Sequence, residues 1–432
     1  MLENANTIVR FPPSPTGLLQ MGNIRTLLYN YLFARHTGGK FLLRIEDTDK
    51  ERSKKEYEEA IYNDLHWLGL EYDNKGDVWR SSERNEIYIQ KIQDLIKQGS
   101  AYISQETEGE NKEVVRFKNP GGKIKFHDTV RGDLEIDVGD LNDFIIARNV
   151  NDPLYHLAVC VDDAASEITH IIRGDDHISN TPRQILVIEA LGGKRPIYTH
   201  LPLVLAEDKS KLSKRKHGEM VSLRYYREKG YLPEAIINFL ALIGWNPGGE
   251  KEIFTLEELV EVFDLAKVQK KGGIFDLKKL RWVNKEHMKL KKGESKDGIT
   301  ERLKNYFPDK KIHLELAEIL FDRIEVLSQI DELVEAGELD YFFKEPKLEK
   351  EKIAWKGQTP EQAKESLEKI LKVELERGEV EKLAEKEGKG NIFWPLRYSL
   401  SGREKSPDPL TLIKILGTEE SKKRIMEAIK LL

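Results

Sequence analysis

The sequence predicts an α/β fold with an inserted α+β segment and an all-α C-terminal region. Three observations support this prediction. The alternating, β-branched run Thr7–Phe11 is followed by prolines and Gly17, and then by apolar residues at helical spacing. Short strand-like runs lie between residues 114 and 147. From residue 297 onward the chain is rich in Lys, Glu and Leu, with apolar residues again at helical spacing.

The composition is typical of a soluble globular protein. The chain has 432 residues, of which 39% are hydrophobic and 34% charged, and this length suffices for roughly two to four domains. The net charge of −5 does not indicate a nucleic-acid binder, so any basic surface for a nucleic acid must be local. No apolar run reaches the about 18 residues of a membrane span. A cytoplasmic location is therefore the default expectation.

The single cysteine, Cys160, excludes an internal disulfide and a multi-cysteine zinc site. Its apolar neighbours in the run Leu157–Val161 predict a buried strand position and an inert packing role.

A strand, a proline-stiffened turn and a helix are predicted from Arg10 onward. The helix is expected to stop at Gly38-Gly39. Its first turn, near Gly22, would present free N–H groups and the positive end of the helix dipole to the loop, and no acidic residue opposes them. This arrangement suits a nucleotide phosphate. An ordinary strand-to-helix turn is the alternative.

Three carboxylates follow the next predicted strand, which ends at Ile45. Glu46, Asp47 and Asp49 could hold Mg²⁺, receive an amino group, or cap a following helix. Capping is the plainer interpretation, because the apolar positions after Asp49 have helical spacing.

Two further stretches carry polar or charged side chains. In residues 152–184, two predicted strands bracket polar residues that would converge where a doubly wound sheet reverses its strand order. There Arg173 is flanked by apolar residues, and a buried arginine requires a carboxylate; a structural ion pair is the alternative. The loop Lys209–His217 contains five basic residues and no acidic one, a pattern that is usually a solvated face.

Together these stretches resemble the signatures of one family. Pro-Ser-Pro-Thr-Gly at 13–17, Leu-Gln-Met-Gly-Asn at 19–23, Arg-Ile-Glu-Asp-Thr-Asp at 44–49 and Lys-Leu-Ser-Lys-Arg at 211–215 resemble class I aminoacyl-tRNA synthetases, in the form used by bacterial-type glutamyl-tRNA synthetases. The resemblance implies the Rossmann-type nucleotide-binding fold of that class. It also implies five segments: residues 1–84 and 161–219 as the two halves of the catalytic domain, 85–160 as an acceptor-end-binding insertion, 220–296 as a stem-contact domain and 297–432 as a helical anticodon-binding region.

The resemblance further implies roles for particular residues. The glutamate-binding residues would be Arg10, Ser14, Glu46, Tyr155, Arg173 and His177. The ATP-binding residues would be Gly22, Asn23, Lys211, Ser213 and Lys214, and the catalytic residues Gln20, Lys211 and Lys214. Asp47 and Asp49 would be structural. Gln20 stands where the signature has its first histidine, so a lowered rate is expected, because one lost transition-state donor costs on the order of 10²–10³ in rate.

The implied activity is that of a glutamate–tRNA ligase. ATP with Mg²⁺ would activate L-glutamate to glutamyl-adenylate, and the glutamyl group would pass to the 3′ end of tRNA(Glu). Charging of tRNA(Gln) stays open. A monomer with no protein-bound metal, no zinc and no membrane contact is expected. Two alternatives are a glutamyl-queuosine tRNA(Asp) synthetase, which should end near the active-site loop, and a catalytically impaired tRNA-binding paralogue, for which Gln20 argues.

Overall fold

The computed structural model describes residues 7–106, 112–139 and 141–432. The chain divides into two compact units, Met1–His287 and Met288–Leu432. The first is an α/β unit with parallel strand pairs and the second is built from helices, which confirms the predicted fold class. The polar composition of residues 106–112 predicts a turn, but the centre of this run, residues 107–111, lies outside the described residues. No described helix combines the length and apolar character that crossing a membrane requires.

The first half of the α/β unit alternates strands and helices as predicted. Its elements are β1 (Ile8–Phe11), α1 (Met21–His36), β2 (Lys40–Ile45), α2 (Lys55–Leu68), β3 (Trp79–Arg80) and α3 (Asn85–Lys97). The three strands form a parallel sheet in the order β1-β2-β3, with Arg10 opposite Leu42. The apolar face of α1, with Leu27, Leu28 and Leu32, is fully buried.

The prediction that Asp49 caps a helix is wrong. Helix α2 begins six residues later, at Lys55, after a segment without helical structure. The Asp49 carboxylate instead accepts hydrogen bonds from the Arg52 side chain (2.7 Å) and backbone N–H (3.1 Å). Asp47 accepts two hydrogen bonds from Ser82, one from its backbone N–H and one from its hydroxyl. Both carboxylates have structural partners, which leaves Glu46 as the carboxylate that faces a cavity.

The segment between the two halves contains two separate β structures. Its elements are β4 (Ala101–Gln105), β5 (Glu113–Phe117), β6 (Lys123–Asp128), β7 (Gly132–Asp137), β8 (Phe144–Asn149), β9 (Asp152–Pro153) and α4 (Tyr155–Ala165). One antiparallel sheet has the order β4-β5-β8-β9. One of the strand-like runs in the sequence is Asp128–Gly132, but the prediction of a strand there is wrong, because residues 129–131 form the turn that joins β6 to β7.

The second half of the α/β unit again alternates strands and helices. Its elements are β10 (His170–Gly174), α5 (Thr181–Ala190), β11 (Ile197–Leu201), β12 (Val204–Leu205), α6 (Lys214–His217), α7 (Leu223–Lys229), α8 (Pro233–Leu242), α9 (Leu256–Val262), β13 (Gly273–Ile274) and α10 (Leu277–Leu290). A sheet of order β10-β11-β6-β7 attaches the β6-β7 hairpin to β10 and β11.

Cys160 is buried as predicted, but it lies in helix α4 and not in a strand. A continuous apolar run has no periodicity that separates a buried helix from a buried strand, and this explains the wrong prediction. The boundary predicted between residues 160 and 161 falls inside this helix. Burial raises the pKa of the Cys160 thiol, in keeping with an inert packing role.

Strands β1 and β10 meet where the strand order changes direction. The Thr169 backbone N–H, just before β10, donates to the Ile8 carbonyl (3.0 Å), and the Ile8 N–H donates to the Thr169 hydroxyl (2.9 Å). Arg10 and Arg173 lie toward the C-terminal ends of these two strands. A ligand crevice is expected beyond the C-terminal ends of strands at such a point.

The second unit consists of helices throughout its described residues. They are α11 (Lys292–Tyr306), α12 (Leu314–Arg323), α13 (Gln329–Glu335), α14 (Asp340–Phe343), α15 (Lys350–Ile353), α16 (Pro360–Leu371), α17 (Arg377–Glu387), α18 (Lys389–Ser401), α19 (Pro409–Leu416) and α20 (Thr418–Leu431). The buried Arg424 guanidinium donates to the carbonyl oxygens of Tyr341, Leu400 and Lys344, and so ties α20 to the α14 and α18 regions.

Candidate functional site

A cleft of about 910 Å³ lies at the crevice between β1 and β10. Its walls come from the turn after β1, the start of α1, the end of β2, the end of β10 and the loop before α6. Eleven of the twelve predicted site residues line it: Arg10, Ser14, Gln20, Gly22, Asn23, Glu46, Tyr155, Arg173, His177, Lys211 and Lys214. Ser213 is outside the lining, and its backbone accepts and donates hydrogen bonds within the loop.

Arg10 is held by a carboxylate of the protein itself. Its guanidinium makes two hydrogen bonds to Asp163, from Nε to Oδ1 (3.0 Å) and from Nη2 to Oδ2 (3.2 Å). Arg44 Nη2 donates to the same Oδ1 at 2.5 Å. Burial alone would raise the pKa of the Asp163 carboxyl, but Arg10 and Arg44 hold it below its usual value. Asp163 therefore fixes the Arg10 side chain at the edge of the cleft.

Glu46 is a buried carboxylate with an unsatisfied oxygen. It is 5% exposed, and its Oε1 has no hydrogen-bond partner among the described residues. The nearest cation is Arg44, whose Nη2 lies 3.6 Å from Oε1. Burial raises the pKa of Glu46 to about 7, although Arg44 and Arg10 act in the opposite direction. A carboxylate in this state would be stabilised by an additional cation in the cleft.

Arg173 is a buried cation with neutral partners only. Nη1 donates to Gln184 Oε1 (2.7 Å), Nη2 to the Thr181 hydroxyl (2.8 Å) and Nε to His200 Nε2 (3.2 Å). No carboxylate of the described chain pairs with it, and its pKa is lowered chiefly by burial. The carboxylate that the sequence argument requires for Arg173 is thus not supplied by the described chain.

Tyr155 and His177 complete the same wall of the cleft. Burial raises the pKa of the Tyr155 hydroxyl, and the charge of Glu46 acts in the same direction. Burial lowers the pKa of the His177 imidazole, and the Arg173 charge lowers it further. At neutral pH both side chains are therefore uncharged and can exchange hydrogen bonds with a polar ligand.

The first turn of α1 lines the cleft, and Gln20 is its N-cap residue. The turn contains no acidic residue, and the space beside Gly22 is open. The Asn23 side-chain oxygen accepts a hydrogen bond from the Gln20 backbone N–H (3.2 Å). This oxygen therefore stabilises the helix start. The Gln20 side chain remains at the cleft wall.

The lysines of the loop before α6 are paired with carboxylates. Lys211 lies 2.9 Å from Asp176, and Lys214 lies 2.9 Å from Glu219. Lys216, a further basic residue of this loop, pairs with Asp208 and donates to the Ser210 hydroxyl. These pairs are about half exposed, so each is weak and can be displaced by an anionic ligand.

Several residues that shape the site carry no local sequence signal. Asp163 binds Arg10 from 153 residues away in sequence, and His200 binds Arg173 from 27 residues away. Asp128 lies behind His200, 72 residues from it in sequence. Only the folded structure brings these buried side chains together. The acidic pair Asp175-Asp176 could have suggested a partner for a basic loop.

Comparison with known proteins assigns the family. The family described as "tRNA synthetases class I (E and Q), catalytic domain" matches residues 6–113 and 103–282, and the family described as "Anticodon binding domain" matches residues 298–429. The chain belongs to the class I tRNA synthetases of the E and Q type. The recognition made from the sequence motifs is thus confirmed.

Relatives of this synthetase match over nearly the whole chain. A protein named Glutamate--tRNA ligase 1 from Petrotoga mobilis is 40% identical, over 98% of this chain and 97% of its own length. The Glutamate--tRNA ligase of Aquifex aeolicus is 37% identical, over 98% of both chains. A crystal structure of a glutamate tRNA ligase from Elizabethkingia meningosepticum, in complex with its amino acid, has a TM-score of 0.85 and 32% identity, and covers 98% of this chain and 99% of its own.

Proposed function

We propose that this synthetase is a glutamate–tRNA ligase. It activates L-glutamate with ATP to glutamyl-adenylate and transfers the glutamyl group to the 3′ end of tRNA(Glu). The near-complete match to proteins named as glutamate–tRNA ligases supports this, together with the anticodon-binding family match at residues 298–429. That match also disfavours the glutamyl-queuosine alternative, which would be expected to end near the active-site loop.

One observation carries the choice of glutamate: Arg173 and Glu46 line the same cleft, where Arg173 has no carboxylate partner among the described residues and Glu46 Oε1 accepts no hydrogen bond. A buried arginine without a carboxylate favours an anionic ligand group, and a buried carboxylate with an unpaired oxygen favours a cationic one. An amino acid with an ammonium group and carboxylates supplies both. We assign the ammonium group to Glu46 and a carboxylate to Arg173, with Arg10, Ser14, Tyr155 and His177 around them.

ATP fits the other end of the cleft. Class I synthetases use ATP, and the open α1 start at Gly22 with Asn23, Lys211, Ser213 and Lys214 makes up the binding set that we propose. Lys211 and Lys214 would exchange their carboxylate partners for triphosphate oxygens. The described residues contain no cluster of three metal-ligating side chains. Mg²⁺ is commonly held by substrate phosphates, so we propose that it binds together with ATP, on the phosphates.

The chemistry that these side chains perform is positioning and charge stabilisation. The glutamate α-carboxylate attacks the α-phosphate of ATP, and pyrophosphate leaves. A ribose hydroxyl of the tRNA then attacks the adenylate carbonyl, and AMP leaves. Holding the two substrates in one orientation, and placing Lys211, Lys214 and Gln20 beside the developing phosphate charge, lowers both barriers. The monomeric state and the cytoplasmic location stay predictions from the sequence.

The test is transfer of labelled glutamate to purified tRNA(Glu), tRNA(Gln) and tRNA(Asp), with ATP and Mg²⁺. We expect charging of tRNA(Glu). The reaction with tRNA(Gln) decides whether this tRNA is a second acceptor. Gln20→His should raise kcat, by up to about 10²–10³-fold if the histidine restores a full transition-state donor. Gln90→His, on the exposed face of α3, is the matched control and should change nothing.

Other results would overturn the proposal. Charging of tRNA(Asp) alone would identify the glutamyl-queuosine enzyme. No charging by the unmodified chain, with recovery in Gln20→His, would identify a tRNA-binding paralogue that is impaired by this one residue.

A further inference from the structure

A buried Asp–His pair lies directly behind Arg173. His200 is at position four of β11, and Asp128 ends β6 in the neighbouring hairpin. Both residues are 0% exposed, and neither lines the cleft. Asp128 Oδ2 accepts from the His200 ring at Nδ1 (2.7 Å) and from the His200 backbone N–H (2.9 Å). The pair thus reaches the cleft through the two side chains that contact His200 Nε2, Arg173 (3.2 Å) and the Thr181 hydroxyl (3.0 Å), and of these only Arg173 lines the cleft.

Asp128 is fixed by its own turn. Its second oxygen, Oδ1, accepts from the backbone N–H groups of Val130 (2.9 Å) and Arg131 (2.8 Å). Because four N–H donors surround this carboxylate, it is held as an anion. The same four hydrogen bonds fix its orientation, with Oδ2 toward His200. The Arg131 side chain also pairs with Asp175 (2.7 Å), two residues after Arg173.

This geometry selects one form of the His200 ring. A carboxylate at Nδ1 requires that nitrogen to carry the proton, and the Arg173 Nε–H at 3.2 Å requires Nε2 to carry none. A protonated ring would direct an N–H at the Arg173 guanidinium, which has no lone pair to accept it, and would bury two cations side by side. The Thr181 hydroxyl, 3.0 Å from Nε2, can donate to the neutral ring. His200 is therefore neutral, with Nδ1 protonated and Nε2 as acceptor.

His200 Nε2 accepts from Arg173 Nε, the one guanidinium nitrogen that Gln184 and Thr181 do not bind. Gln184 and Thr181 bind the two terminal nitrogens, and His200 binds Nε. A guanidinium has five N–H groups, so one on each terminal nitrogen remains without a partner in the described chain. The third contact sets the rotation of the planar group, and so sets where these two N–H groups point.

We propose that His200, held in this form by Asp128, is a positioning residue for Arg173 and tightens the binding of the amino-acid substrate. The inference rests on the proposed function for the identity of the ligand, L-glutamate. An isolated buried polar pair contributes little net stability compared with well-packed apolar side chains, so the main effect of the pair is expected on the orientation of Arg173.

The decisive experiment compares His200→Leu with His200→Gln in the full-length chain. Leucine removes the acceptor, whereas glutamine can place its side-chain oxygen near the position of Nε2. We expect His200→Leu to raise the KM and Kd for L-glutamate about 10- to 100-fold, the range for a lost hydrogen bond to a charged group. The KM for ATP should not change, and His200→Gln should restore most of the glutamate affinity. His170→Gln, in β10 but facing Phe33 away from the cleft, is the matched control.

A second readout tests the inference without turnover. The ¹⁵N NMR shifts of the imidazole in the unmodified chain, assigned by their loss in His200→Gln, should show a protonated Nδ1 and an unprotonated Nε2. A protonated Nε2 would overturn the proposal, even if His200→Leu fails to fold. An equal rise in the KM values for glutamate and ATP, or an unchanged glutamate affinity in folded His200→Leu, would also overturn it. If the unmodified chain does not charge tRNA with glutamate, the proposed function fails, while the NMR result still decides the positioning role.

Discussion

Replacing Glu46 with glutamine should stabilise the folded chain and weaken glutamate binding at the same time. The Glu46 carboxyl is 5% exposed, and burial moves its pKa from the ordinary 4.5 to about 7. One pKa unit corresponds to about 1.4 kcal/mol, so the ionised carboxylate lowers the free energy of unfolding by about 3 kcal/mol at pH 8. Glutamine has the same shape without the charge, and should recover most of this amount.

The sign of the pH dependence follows from the direction of the shift. The folded chain holds the Glu46 proton more tightly than the unfolded chain, so wild-type stability falls as the pH rises from about 4.5 to 7. Below this window the carboxyl is neutral in both states and contributes nothing. The stability gain of Glu46→Gln should therefore be small at pH 5 and reach its full value at pH 8.

The same substitution should weaken glutamate binding at least about a hundredfold, because the substrate ammonium would lose its carboxylate in a buried site. In the unmodified chain, glutamate affinity should fall as the pH drops below about 7, whereas in Glu46→Gln it should be flat. The charged groups that act on the Glu46 carboxyl are Arg44, Asp163, Arg10 and Asp162.

Calorimetric unfolding and glutamate titration at pH 5, 6, 7 and 8 measure both effects. The relevant transition is the one that ATP shifts upward, since a ligand stabilises the unit that binds it. Glu86→Gln, on the exposed surface of α3, is the control for removing one negative charge. A Glu46→Gln chain that is no more stable than wild type at pH 8, or that keeps the wild-type pH dependence of glutamate affinity, would refute the reasoning.

Two further substitutions test the loop and the start of β2. Asp176→Asn releases Lys211 from a half-exposed ion pair worth at most about 1 kcal/mol. The KM for ATP should therefore fall by no more than about fivefold, and by less at high salt. A rise in this KM would contradict the idea that Asp176 and ATP compete for Lys211. Gly39→Ala would place a methyl group against the Thr7 carbonyl and should cost about 1–3 kcal/mol of stability in thermal unfolding, whereas Gly22→Ala, with open space around it, should cost less.

The local part of the fold could be predicted because local rules govern it. The β-branched strand before Pro12, the helix that follows it and the all-helical C-terminal region are decided by periodicity and by residues that break it. The helix at Cys160 was missed because its residues are apolar on every side, and such a run fits a strand equally well.

The long-range part of the site could not be predicted. The motifs identified Arg10 and Arg173. They did not show that Asp163 binds the Arg10 guanidinium, whereas only neutral groups bind that of Arg173. Nor does the sequence show that the β6-β7 hairpin joins the catalytic strands and brings Asp128 behind His200. Such pairings depend on which strands become neighbours in the sheet, and the local sequence does not determine this.

The buried charges explain why an amino acid with an acidic side chain suits this cleft. Arg10 and Arg44 are balanced by Asp163 and ionised Glu46, so these four charges cancel. Arg173 adds one positive charge that no described residue neutralises. L-Glutamate, with one ammonium and two carboxylate groups, brings a net charge of −1 and leaves the occupied site neutral. Glutamine brings no net charge, so Arg173 would stay buried and unpaired, and a site with unpaired polar groups discriminates by about 10⁴–10⁵.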